Sequence, residues 1–393
     1  VIFTNGDNDT FPLWYNQETE GVRTDARVCN LSYLQTDWYI DQMRRPAYDS
    51  PSLPISWTRL QYVTGTREGI PVQPDALQQV IDYYKDSPED LKQMLGDNPY
   101  ELKNIIRHWV LNDNPDLQIF PTDSIVVTVD KEAVKRSGMM IAADSIPDVM
   151  HISLKGKRAI YKSEMMMLEM ISQANWERPL YMSTTVGPDN YGHLGDNFVQ
   201  EGLACRITPF DTKQSGRTID SERMYNNMMN KFKYGGLKEN PDIYLDETVI
   251  RMCYTHRRLF NQLAQQLLKE GQKDKALKVL QRAEEEIPGS IVPHEAFYGH
   301  SLELADAWLA LGHKAEAEKL LNAVGQNAKE YIEWYLSLNT QRLLQSSREC
   351  LMQIYILNDI AKTWEPIDKK KAETYRMEVN NYASRCHQRG MSL

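Results

Sequence analysis

Two hydrophobic patterns divide this chain. In roughly the first half, short apolar runs are bounded by Asn, Asp, Gly and Pro: Val1-Ile2-Phe3-Thr4, Ala26 to Ser32, Ser124 to Val129, His151-Ile152-Ser153-Leu154 and Pro179 to Ser183. Runs of this length and punctuation predict strands. Between the first two, Asn5-Gly6-Asp7-Asn8-Asp9 predicts a turn and Thr10 an N-cap, opening a helix over Phe11 to Thr19 with Pro12 tolerated in its first turn. Thr36 starts a second helix carrying Trp38, Ile40 and Met43, which Pro46 stops. Strand, helix and strand in such close succession predict a βαβ unit, hence a parallel strand pair.

The pattern then loosens. Prolines 46, 51, 54, 71 and 74 precede three short helical stretches near 75–85, 88–95 and 99–112, which together read as an insertion or lid at about 46–121. A Met-rich helix over Ser163 to Ala174 precedes the strand at Pro179; its Met165-Met166-Met167, Leu168, Met170 and Ile171 are placed to fill a core. The expected first domain is therefore α/β over 1–215, a parallel, Rossmann-like sandwich with an irregular insertion. A linker is expected at 216–244.

From about 245 onward the apolar spacing becomes helical. Phe260, Leu263, Ala264, Leu267, Gly271, Ala276, Leu280, Ala283 and Pro288 fall at the offsets of a tetratricopeptide-like repeat, and Leu304, Ala305, Trp308, Gly312, Ala317 and Leu321 form a second copy. Gly271 to Gly312 and Ala276 to Ala317 share one spacing of 41 residues, a repeat of about 34 residues with an insertion near Pro293. Each residue type has a mechanical reason: the alanines let paired helices approach closely, and the glycines turn between them. Helices at about 328–361 and 366–389 are expected to form a third, irregular pair. The second domain is thus an all-α, tetratricopeptide-like helical domain over 245–393.

Composition narrows the function classes. The 45 Lys+Arg and 54 Asp+Glu of the 393 residues leave a net charge of −9, which disfavours nucleic acid or an anionic bilayer as partner. Apolar runs such as Ile125 to Val129 fall far short of the roughly 18 residues that a spanning helix needs, so this stretch of chain is not expected to insert directly into a membrane. It opens in a strand-like run without an initiator Met, and is expected to be a piece of something longer. Five dispersed cysteines give neither zinc-ligand spacing nor a disulfide framework. Nucleotide-cradling, zincin and hydrolase-elbow motifs are all missing from the sequence.

Two polar loops remain, each after a predicted strand. In the first, Asn5, Asp7, Asn8 and Asp9 put two carboxylates two residues apart before a helix. Such a pair either holds a divalent metal or a sugar hydroxyl, or orders the turn and caps the helix. The second runs from Gly187 to Asn197 and offers Asp189, Asn190, His193 and Asp196 among three glycines. Loops after parallel strands share one sheet edge, so the two are expected to line one crevice. Trp14 and Tyr15 in the first helix supply rings at its rim, against which a sugar or peptide can stack.

The stretches Asn5 to Tyr15, Glu20-Gly21-Val22-Arg23, Asn30-Leu31-Ser32, Thr36 to Gln42 and Asn175 to Tyr181 resemble a family of multispanning bacterial envelope proteins. That family, long of unknown function, is now grouped with protein O-mannosyltransferase-like glycosyltransferases. The resemblance implies a soluble region on the periplasmic face of a bacterial inner membrane, attached to a transmembrane part that this chain lacks. The catalytic acid of such enzymes lies in that membrane part, so no catalytic residue carries over. The resemblance thus implies an accessory, acceptor-binding region with no activity by itself and no obligatory cofactor. Its expected partners are its own transmembrane region and an acceptor protein or glycan. The alternatives are a protein-assembly scaffold using the helical repeats, and a metal-dependent carbohydrate-active enzyme using Asp7 and Asp9.

Overall fold

The computed structural model describes residues 1–141 and 145–391, which fall into two units, Val1–Asp220 and Ser221–Leu393. In the first, β1 (Ile2–Thr4) and β2 (Val28–Asn30) lie parallel with Phe3 opposite Cys29, and α1 (Asp7–Glu20) makes the crossover. The predicted βαβ unit is therefore present. Its helix starts earlier than expected: Gly6, at φ 92°, stands at the N-cap and Thr10 lies inside the first turn. Thr10 is buried, and its hydroxyl is spent on Thr4 and Asn30 rather than on free amides. Asp7 and Asp9 in the first turn favour the early start, because carboxylates are stabilised at the positive end of a helix. Next, α2 (Asp37–Met43) buries Tyr39, Ile40 and Met43.

The insertion carries β3 (Gly69–Pro71), helices Ala76–Tyr83 and Pro88–Leu95, and the helical turns Leu102–Ile105 and Ile106–Val110. Leu77, Leu95, Trp109 and Ile119 give part of it a small core of its own. Beyond it, the parallel sheet is not extended as expected. β4 (Ser124–Thr128) pairs antiparallel with β5 (Val149–Ser153), and β6 (Ala159–Tyr161) pairs antiparallel with β3, each as a separate two-stranded ribbon. The reason is visible in β4, where Ile125 and Val127 are buried while Ser124 and Thr128 are exposed. Alternation of this kind suits a one-sided antiparallel ribbon, whereas β2, buried at every position, suits a covered parallel sheet.

The chain then returns through α3 (Lys162–Gln173), whose Met165, Met166, Met167 and Met170 are all buried in the main core. β7 (Tyr181–Ser183) joins the far side of β1 in parallel, and the antiparallel hairpin of β8 (Phe198–Gln200) and β9 (Ala204–Ile207) adds to β7. The sheet order is β2-β1-β7-β9-β8: a parallel centre with an antiparallel margin, flanked by helices. Beyond β8 the chain folds back, Gln200 N–H donating to Thr218 O (2.8 Å) and Asp220 N–H to Gln200 O (3.0 Å).

The second unit is all helical. Residues 221–244 of the stretch expected as a linker fall in it, where Ser221–Asn226 is helical, Met224 and Met228 are buried, and Tyr234 stacks on Phe260 at 5.8 Å; residues 216–220 fall in the first unit. α4 (Glu247–Lys269) folds back onto α5 (Lys273–Glu286) through Gly271, and α6 (Ser301–Ala310) onto α7 (Lys314–Ser337) through Gly312. Both glycines sit at left-handed φ, 75° and 82°, which side chains resist. Ala264, Ala276, Ala283, Ala305 and Ala317 are all buried, at the helix contacts their small size permits. The expected helix over 328–361 is broken, because Asn339 accepts from Arg342 N–H and caps a new helix, Thr340–Gln345, before α8 (Ser347–Trp364). α9 (Lys369–Gln388), capped by Asp368, packs against α8.

Candidate functional site

The strand order places a switch point in the main sheet. From β1 the chain moves to β2 on one side, and from β7 it moves to β8 and β9 on the other, so the connections leave the C-terminal ends of these two neighbouring strands in opposite directions. Ligands of open α/β sheets bind at such a divergence. Here it is occupied by side chains. Asp9 Oδ2 accepts from Asn5 N–H (2.9 Å) and from the Thr185 hydroxyl (2.8 Å), tying the loop after β1 to the loop after β7. Ser183 and Thr185 hydroxyls are 2.7 Å apart. On the other flank, the Ser32 hydroxyl donates to Asn5 Oδ1 at 2.8 Å.

Asn30, at the end of β2, holds this rim together. Its amide donates to Thr10 Oγ1 (2.8 Å) and Gly6 O (3.2 Å), and its carbonyl accepts from Ser32 N–H (2.8 Å) and Tyr33 N–H (3.2 Å). Every hydrogen-bonding direction of the side chain is used. Asp7 and Asn8 point into solvent from the first turn of α1. Since residues two apart on a helix do not face each other, Asp7 and Asp9 do not converge as a metal chelate. Among the described residues, no group of three His, Cys, Asp or Glu is placed to hold a metal ion.

Beside the rim runs a row of aromatic rings. Phe11 stacks on Trp14 (centroids 5.5 Å apart), Trp14 on Tyr33 (6.3 Å), and Tyr33 meets Trp38 at 5.9 Å. The row is anchored at its middle, where Trp14 and Tyr33 pack against the main core, and open at its ends, where Phe11 is 44% and Trp38 49% exposed. Tyr15, the other ring predicted at the rim, is 60% exposed. Apolar faces beside hydroxyl, amide and carboxylate groups are what a sugar ring or a short peptide requires of a surface.

The second predicted loop separates from this rim. It leaves β7 next to Asp9, but its later part turns toward β5. There Ser153, Lys157, Asp189, Tyr191, His193 and Asp196 line an open crevice of about 590 Å³, and His193 and Asp196 also border a larger one of about 930 Å³ with His151 and Arg217. Neither is lined by Asn5, Asp7, Asn8 or Asp9. The single shared crevice is thus corrected to a joined rim and a distinct second crevice. The loop packs against α3 at Gly192, which takes a left-handed φ of 56°; a Cβ there would lie 2.3 Å from Met167 Cε and would push that methyl aside. Asn190 and Asp189 lie in an exposed helical turn, Pro188–Asn190, while His193 takes a left-handed φ of 62°. Burial, then the nearby Lys157 ammonium, holds the His193 ring below the usual histidine pKa.

Sequence reasoning overlooked Thr185, Asn30, Ser32, Phe11, Tyr33 and Trp38 as site residues. The available signal was positional, since Asn30-Leu31-Ser32 and Ser183-Thr184-Thr185 are polar groups at the exits of predicted strands.

A family model described as TMEM260-associated domain 2 matches residues 1–227. The chain belongs to that family. The match spans the whole first unit of this TMEM260-associated domain 2 protein, including the rim, the aromatic row and the second crevice, and ends just inside the helical unit. No curated protein and no solved structure matches the chain. Among the described residues of this TMEM260-associated domain 2 chain, no helix is long and apolar enough to cross a membrane.

Proposed function

We propose that this chain is the acceptor-binding, extracytoplasmic accessory region of a membrane-embedded, protein O-glycosyltransferase-like protein, acting on the periplasmic face of a bacterial inner membrane. The observation that carries the reading is the aromatic row Phe11-Trp14-Tyr33-Trp38 set against the polar rim of Asn5, Asp9, Ser32 and Thr185. The association with TMEM260 in the family's description supports the membrane partner. In this reading the rings stack on an acceptor peptide or on its glycan, and the rim hydroxyls fix its orientation. The chemistry is left to the transmembrane part.

Tryptophan fluorescence tests it, by titrating the chain with mannose oligosaccharides and, separately, with a Ser/Thr-rich peptide. Saturable quenching by one of them is expected, weakened about fivefold by Trp38→Ala and by Phe11→Ala, in line with about 1 kcal/mol for a lost ring contact. An unchanged affinity in both variants would remove the aromatic row from the site. A second reading, a scaffold for protein assembly, is favoured by Tyr331 and Trp334, one turn apart on α7 and each about half exposed. It predicts that Trp334→Ala weakens capture of the peptide while Trp38→Ala does not.

A further inference from the structure

Cys350 on α8 and Cys386 on α9 are both fully buried, and their sulfur atoms are 3.9 Å apart. Thirty-six residues separate them in sequence, so no spacing rule pairs them. They meet because α8 and α9 fold back on one another through the turn that Asp368 caps. A disulfide needs its sulfurs about 2 Å apart, an approach that two side chains on adjoining helices can share. We propose that Cys350 and Cys386 form a disulfide bond that staples the last two helices of the chain.

The bond forms by exchange with a small-molecule or protein disulfide. The thiolate of one cysteine attacks a sulfur of the donor, whose S–S bond breaks and releases one donor thiolate. The second cysteine, deprotonated, then attacks the resulting mixed disulfide and releases the other. Two electrons pass to the donor, and the two thiol protons end on its released sulfurs. In the folded unit neither thiol is reactive. Burial, then the neighbouring Cys386 sulfur, pushes Cys350 up to about 12, and burial also raises Cys386. Exchange therefore belongs to the stage when α9 is not yet docked, and docking afterwards shields the bond from external thiols. This inference stands apart from the acceptor reading and is tested without any sugar or peptide.

The experiment refolds the full chain from denaturant in buffers of graded oxidised-to-reduced glutathione ratio, then alkylates it in denaturant and maps its peptides without reduction. The expected product is lighter by two hydrogens, has three alkylated cysteines instead of five, and yields one linked peptide joining Cys350 to Cys386. Its helical unit should melt roughly 5–10 °C above the reduced form, the gain expected from closing a loop of this length. Cys350→Ser should abolish the linked peptide and leave Cys386 alkylated. Five alkylated cysteines at every ratio, or a link between any other pair, would overturn the proposal.

Discussion

At the scale of single residues, Asn30 shows how a polar side chain decides the shape of a sheet edge. It is completely buried, yet each of its polar atoms reaches a partner in α1 or in the turn after β2. Removing it takes a partner from the buried Thr10 hydroxyl and from the part-buried Gly6 carbonyl and Ser32 and Tyr33 amides at once. Asn30→Ala is therefore expected to destabilise the first unit by about 2–4 kcal/mol. Urea unfolding monitored by near-ultraviolet circular dichroism would register this as a lower midpoint with an unchanged slope. Asp9 works differently, since it spans two loops instead of filling one corner. Its hydrogen bonds to Asn5 and Thr185 join the loop after β1 to the loop after β7.

At the scale of elements, the helices were the most legible part of the sequence. Regular apolar spacing and small residues at the contacts mark out the pairs α4–α5 and α6–α7, because one face of each helix carries the same demand turn after turn, although α7 runs on to Ser337, past the boundary expected near 328. Ala283 is the sharpest case: it is 1% exposed on α5, where a larger side chain would push the helix off its neighbour. Ala283→Leu should cost about 1–3 kcal/mol through overpacking, read as a lower melting temperature by far-ultraviolet circular dichroism, while Ala283→Gly should cost less. The strands were legible as strands but not as partners. Ser124 to Thr128 and Val149 to Ser153 look like sheet members from their residues, and nothing local says that they pair with each other away from β1. The hairpin of β8 and β9 was overlooked altogether, since its three- and four-residue strands are too short to establish a period. The rim fared in the same way: Asn5 and Asp9 are legible as polar loop residues, but Thr185 becomes their partner only once β7 is known to lie beside β1.

At the scale of the whole molecule, the two units are built on opposite principles. The first depends on pairings between distant stretches, such as Val1 to Thr4 with Tyr181 to Ser183, and the second on neighbours in sequence. The family match covers the unit built on the first principle and reaches residue 227, past the last contact that the sheet makes. That end point matters because of what residues 218–220 do. By bonding along Gln200 they occupy the outer margin of β8, which would otherwise offer unpaired amides and carbonyls to any extended strand that came near. The consequence concerns solubility. A fragment comprising residues 1–220 should sediment as a monomer, whereas one ending at residue 217 should self-associate with rising concentration as molecules borrow strand partners from each other. Equal sedimentation of the two would mean that the margin protects itself. If they differ, three residues beyond the last strand are what keep this sheet from becoming a template for its own aggregation.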